Sequence, residues 1–170
     1  MTTMRACGEC NVCCTTQGID VLDKKRHEPC KHLAPAPGRG CGIYATRPSD
    51  CRGWHCAWQK GELPAPMRPD RTGVVVWGHA LVTDGEERVV AGVVEVTEGA
   101  LDRLPGRAVL RHLEAVGTPI ARHMRGPEIL VQIRGRPPMV VLARGGMGDA
   151  RCTPEEEQAI AERRRRLVGL

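Results

Sequence analysis

Of nine cysteines in 170 residues, eight fall within the stretch from Cys7 to Cys56. They are Cys7, Cys10, Cys13, Cys14, Cys30, Cys41, Cys51 and Cys56, opening as Cys7-x2-Cys10-x2-Cys13-Cys14. Thiolates are soft ligands, and a tetrahedral set of four selects zinc or iron–sulfur centres over magnesium or calcium. Eight of them supply two complete sets. The plainer reading is a scatter of buried thiols acting as small hydrophobes. That reading predicts an even spread, and the crowding speaks against it.

The adjacent pair Cys13 and Cys14 narrows the geometry. Their α-carbons are fixed about 3.8 Å apart, and neighbouring side chains on an extended backbone point to opposite sides. The pair therefore suits two neighbouring metals, which it straddles, or a bridge between them. The spacing of the first three cysteines also imitates the C-x2-C-x2-C of bacterial ferredoxins, without the C-x3-C-P continuation. A zinc pattern of two separated C-x2-C pairs is equally incomplete, because the second half offers Cys51-x4-Cys56. Spacing alone leaves the metal open. The balance tips to zinc, possibly two ions, because a structural ion explains how a segment without a core folds at all. Lys24, Lys25, Arg26, Lys31, Arg47 and Arg52 lie in the same segment and would offset thiolate charge.

Cys7-Gly8-Glu9-Cys10-Asn11-Val12-Cys13-Cys14 resembles the signature of the YkgJ-type cysteine-cluster family, a zinc- or iron-chelating CxxCxxCC domain. Pro29-Cys30-Lys31-His32-Leu33 looks like its middle cysteine, and the run from Cys41-Gly42-Ile43-Tyr44 through Arg47-Pro48 to Cys51 and Cys56 looks like its closing motif. The resemblance covers about residues 5–77. It implies metal chelation by the eight matched cysteines and implies no reaction. Some members of the family are similar to flagellin lysine methylases, but this chain carries no further catalytic motif that matches them.

The remaining candidates read more plainly. His27, His32 and His55 could replace a thiolate, but with eight cysteines present they read as neighbours of the ligands. Tyr44, Arg47 and Trp54 read as packing and hydrogen-bonding support, with Arg47 able to donate to sulfur. His79, His112 and His123 are far apart in sequence and read as ordinary surface or core groups. Cys152 precedes Thr153, a cap that can lower a thiol pKa, yet a half-buried cysteine is the simpler reading. Gly145-Gly146-Met147-Gly148 lacks the residues of a phosphate loop. No nucleophile elbow, H-E-x-x-H or carboxylate pair is present, so no catalytic residue is assigned and the chain does not read as an enzyme.

The segment that carries the cysteines, residues 1–60, is rich in Gly, Pro and His and has no sustained hydrophobic period. It cannot bury enough apolar area to offset its chain entropy unaided. Residues 61–71, with three prolines between Pro64 and Pro69, read as a stiff extended connection. Residues 72–170 read as a small α+β core packed against the module. Val74–Val82 and Arg88–Val96 flank Asp84-Gly85 as a hairpin, and their apolar residues occupy both parities, so both faces should be covered. Gly106–Val116 carries Val109, Leu110, Leu113 and Val116 at helical spacing. Ile129–Arg134 and Met139–Ala143 read as a second hairpin, and Thr153-Pro154-Glu155-Glu156 as a capping box that opens a last helix. The expected fold is α+β: an irregular metal-stapled module on a small antiparallel sheet with two or so helices.

The sequence opens without an apolar stretch that could serve as a signal peptide, which points to a reducing cytoplasmic setting where stable disulfides are rare. No apolar run is long enough to span a membrane. The formal charge of +5 becomes −3 if eight cysteines ionise, and two divalent ions return it to +1. A nucleic-acid partner is therefore not expected, and Arg163–Arg166 reads as a solvated helix end. The expected function is metal binding with a structural or metal-handling role and an unknown protein partner. The rivals are an iron–sulfur redox protein or enzyme subunit and a zinc-ribbon-like nucleic-acid adaptor.

Overall fold

A computed structural model describes residues 4–34, 40–83, 86–123, 128–135 and 137–142. The expected last helix, Cys152 and the Gly145–Gly148 run lie outside the described residues.

The cysteine-bearing segment is built from single turns. They are α1 (Cys13–Thr16), a 3₁₀ turn at Asp20–Leu22, another at Tyr44–Thr46, and α2 (Ser49–Gly53). Isolated bridges Ile19–Lys24 and Leu33–Cys41 close the loops between them. Among the described residues from 4 to 55, Val12 is the only buried apolar side chain. The proline-rich connection is not extended. Pro66 sits in a 3₁₀ turn at Ala65–Met67, and Pro69 opens α3 (Pro69–Thr72). A proline in the first turn of a helix has its φ preset and leaves no N–H wasted, so these prolines start turns.

The β-branched run then forms β1 (Val74–Thr83), paired antiparallel with β2 (Glu86–Glu95) in a register from Val74–Glu95 to Thr83–Glu86. Three further strands follow: β3 (Ile120–His123), β4 (Glu128–Gln132) and β5 (Met139–Leu142). The sheet order is β1-β2-β3-β4-β5. It is not the wholly antiparallel sheet expected, because β2 and β3 run parallel. A parallel pair needs a crossover, and residues 96–119 provide it through a 3₁₀ turn at Ala100–Asp102 and α4 (Gly106–Ala115). Val109 and Leu113 of α4 are buried while Arg107, Arg111 and Glu114 are exposed. Gly117 ends the helix at φ 72°, where its N–H reaches the Glu114 carbonyl and that of Thr118 reaches Leu113. Among the described residues α4 is the one helix longer than two turns.

One core cluster joins the parts. It takes Val12, Cys56, Ala57, Trp58 and Leu63 from the first half, both parities of the hairpin (Val74, Val75, Val76, Val93, Val94), and Ala100, Leu101, Val109 and Leu113 from the crossover. Full burial of each valine or leucine among them is worth about 1.5–3 kcal/mol. The both-faces expectation holds for these valines but fails at Val89, which is 76% exposed. The Ala57 N–H bonds to the Val76 carbonyl at 2.7 Å, which docks the end of the cysteine segment on β1. A second cluster of Val90, Ala121, Ile129 and Val131 fills the β3–β4 side.

Candidate metal centre

All eight expected cysteines line one cavity of about 110 Å³. None is disulfide-bonded; Cys56 is buried and the other seven are partly exposed.

Backbone hydrogen bonds sort the thiols. A tight turn carries the Cys10 N–H to the Cys7 carbonyl. Arg5 donates its backbone N–H to the Gln59 carbonyl at 2.8 Å, which brings the strand leading to Cys7 alongside Cys56. The Arg5 side chain fastens this junction, donating to the Trp58 and Leu63 carbonyls at 2.9 and 2.7 Å with its guanidinium 5.2 Å from the centre of the Trp58 ring. On the other side the Cys30 N–H reaches the Cys14 carbonyl at 2.9 Å, the Leu33 N–H reaches Cys30, and Leu33 pairs with Cys41. The electrostatics show which thiols lie near one another. Burial raises the Cys7 thiol to about 11, and the next contributions come from Cys13, Cys56 and Cys10. Burial also raises Cys51, followed by Cys30, Cys13 and Cys41. Cys14 is acted on by Cys41, Cys30 and Cys51. Cys7, Cys10 and Cys56 thus lie toward one side and Cys14, Cys30, Cys41 and Cys51 toward the other, with Cys13 acting on both.

Cys13 and Cys14 sit between the two sides. Their side chains hydrogen-bond to each other, which holds the Cys14 thiol below its ordinary value and drives that of Cys13 far up. Burial raises Cys10 and Cys56 as well, against the pull of backbone N–H groups such as that of Gln59, 3.4 Å from the Cys56 sulfur. Protons are thus held on crowded, half-desolvated sulfurs, and a cation that binds there must displace them.

The cavity wall also carries nitrogen donors: Lys24 and Arg47, expected to offset thiolate charge, and Gln17, which no sequence pattern selected. Gln17 Nε2 and Arg47 Nε are buried with no hydrogen-bond partner among the described residues, and both residues line the cavity. Lys24 is 7% exposed, lines the same space, and donates to the Gln17 and Lys25 carbonyls. Burial lowers its pKa while Cys30, Cys14 and Cys13 pull it back up. The Arg47 guanidinium lies 3.7 Å from the centre of the half-exposed Tyr44 ring. Orphaned buried N–H groups are rare in folded proteins. Here they line the same space as the sulfurs and would suit an anionic occupant such as a thiolate-bound metal.

The histidines stand apart. His55 Nδ1 meets Gln59 Oε1 at 3.1 Å, and neither His27 nor His32 lines the cavity. Among the described residues no three Cys, His, Asp or Glu side chains gather closely enough to hold an ion as they stand. The thiols line walls and do not close on a point.

Comparison with known proteins returned no matching family model, no matching curated protein and no matching solved structure. Among the described residues no helix is long and apolar enough to cross a membrane.

Proposed function

We propose that this protein binds metal through its eight clustered cysteines, with zinc or iron as the ion and a structural or metal-handling role. One observation carries the reading. Eight thiols share one cavity in a segment whose only buried apolar side chain, among the described residues from 4 to 55, is Val12. Apolar burial of that size cannot offset the ordering of some fifty residues, at about 1–2 kcal/mol each for backbone alone. Metal binding of about 10–16 kcal/mol per structural zinc supplies a term of the missing kind. The resemblance to the YkgJ-type cysteine-cluster family points the same way.

In this reading Cys7, Cys10, Cys13 and Cys56 hold one centre and Cys14, Cys30, Cys41 and Cys51 the other. Lys24 offsets the negative charge, and Arg47 and Gln17 donate to sulfur. Bound metal would fix the loops and serve as a Lewis acid or an electron carrier, according to the element. Chelation should abolish hydrogen-exchange protection across residues 5–60 while β1 and β2 keep theirs. Cys10→Ala and Cys14→Ala should each remove one of two metal equivalents. Unchanged protection after complete metal removal would refute the reading.

A second reading is favoured by the shape of the cavity. A single zinc draws four sulfurs to about 2.3 Å from one point, whereas here the thiols line some 110 Å³ without such a point. A polynuclear iron–sulfur cluster fills a larger space. A brown anaerobic preparation bleached by dithionite would establish it; a colourless, zinc-loaded one would exclude it.

A further inference from the structure

Between α1 and Cys30 the chain makes a tight loop that brings no sulfur to the cavity but supplies part of its wall. The Gln17 N–H returns to the Cys13 carbonyl, and Asp20–Leu22 forms a 3₁₀ turn. Across that turn Ile19 and Lys24 exchange both backbone hydrogen bonds, at 2.8 and 3.1 Å. Gly18 lets the loop close tightly, since a Cβ there would stand 3.2 Å from the Arg26 side chain. Gln17, Ile19, Leu22 and Lys24 of this loop line the cavity. Its charges are placed against custom: Asp20 and Asp23 are exposed, and Lys24 is buried.

Lys24 is the one buried charged side chain among the described residues. Its ammonium donates to the Gln17 and Lys25 carbonyls, neither of which carries a formal charge. No carboxylate of a described residue pairs with it. A buried charge without a counter-ion is strongly unfavourable. The described cavity wall holds two cations, Lys24 and Arg47, and no Asp or Glu. The counter-charge must therefore come from the sulfurs or from what they hold. Thiols that keep their protons add none, and a divalent ion on neutral ligands adds charge of the wrong sign. Four thiolates around a divalent ion leave a net charge of −2, the sign that Lys24 lacks.

We propose that Lys24 selects what the cysteines hold by charge, favouring all-thiolate metal complexes that are net negative over thiol adducts that are neutral. The inference rests on the metal reading above and adds a rule of selection to it. Gln17 works with Lys24: its carbonyl holds the ammonium, and its own Nε2 is buried at the cavity wall without a partner. The loop thus presents one full charge and one neutral donor to the same space. A lysine kept only for its two carbonyl contacts would not distinguish a negative occupant from a neutral one.

The test compares zinc with arsenous acid on the full chain, in the parent, Lys24→Met and Lys24→Arg. Arsenous acid condenses with three thiols, forming three As–S bonds and releasing three waters, and its adduct is neutral. Lys24→Met keeps the length of the side chain and removes the charge. It should lose zinc to a competing chelator about 10–100-fold more readily than the parent, yet bind arsenous acid as the parent does. Lys24→Arg, which keeps the charge, should hold zinc within a few-fold of the parent. Zinc held equally by Lys24→Met and the parent, or zinc and arsenous acid weakened to the same extent, would overturn the proposal and leave the metal reading standing. A parent that takes up neither zinc nor iron would overturn both. Should the Met variant fail to fold, Lys24→Gln makes the same comparison.

Discussion

Replacing Gly92 by alanine adds one methyl group at a crossing point of the structure. Its Cβ would stand 2.6, 2.8 and 3.0 Å from Cε2, Cζ2 and Cδ2 of Trp77, whereas carbon atoms pack at about 3.5–4.0 Å. The indole is rigid and must swing away as a unit. It then gives up its contacts with His123 at 4.8 Å and Trp54 at 6.5 Å, aromatic pairs worth about 0.5–1.5 kcal/mol each. Alanine is otherwise no worse than glycine in a strand, so the expected cost is about 1–3 kcal/mol, in the range for overpacking. Denaturant unfolding of parent and variant measures it, with tryptophan fluorescence reporting the displaced ring. The His123 ring resonance should move as well. A variant of unchanged stability and unchanged His123 shift would refute the placement of Trp77 across β2.

Other expectations are as direct. Gly106→Ala should be more severe, about 3 kcal/mol or more, because its Cβ would meet the Ala100 carbonyl oxygen at 2.2 Å and that of Thr72 at 2.8 Å, backbone atoms that cannot rotate away; thermal unfolding reads this. Arg47→Gln should loosen metal retention by about 10–100-fold, the usual loss when a group around the ligands is removed, with little effect on unfolding of the sheet; competition with a chelator measures it. For His123 the folded-state pKa lies near 3, below the ordinary 6.5, so the unfolded chain binds the extra proton first. Its contribution is complete above about pH 6.5 and is lost progressively as pH falls toward 3, on the order of 1–2 kcal/mol at pH 5 after allowing for partial exposure. His123→Asn should flatten that part of the stability profile.

Legibility in the sequence followed the strength of local signals. The hairpin β1–β2 was plain because the β-branched Val74, Val75, Val76, Val89, Val90, Val93 and Val94 flank Asp84-Gly85, and α4 was plain from the spacing of Val109 and Leu113. β3 was not, because Ile120-Ala121-Arg122-His123 is short and mixed, and its parallel pairing with β2 depends on a crossover that no local pattern encodes. The crowding of eight cysteines pointed to a shared cavity, and the Cys13–Cys14 pair pointed to two groups of ligands. Which cysteines lie side by side was hidden, since it is set by long-range backbone bonds such as Cys30 to Cys14 and Arg5 to Gln59. Lys24 and Arg47 stood out as cations able to offset thiolate charge, whereas nothing in the sequence marked Gln17 until the fold brought it to the cavity wall. Trp77 and His123 lie 46 positions apart and meet across β2 because Gly92 leaves room for the indole.

Elemental analysis and thiol counting on one anaerobic preparation test the central claim most directly. The account predicts a folded chain carrying tightly bound zinc or iron, with Cys7, Cys10, Cys13, Cys14, Cys30, Cys41, Cys51 and Cys56 shielded from alkylation until a chelator is added. A folded chain that holds no metal, with those eight thiols reacting freely from the outset, would contradict it.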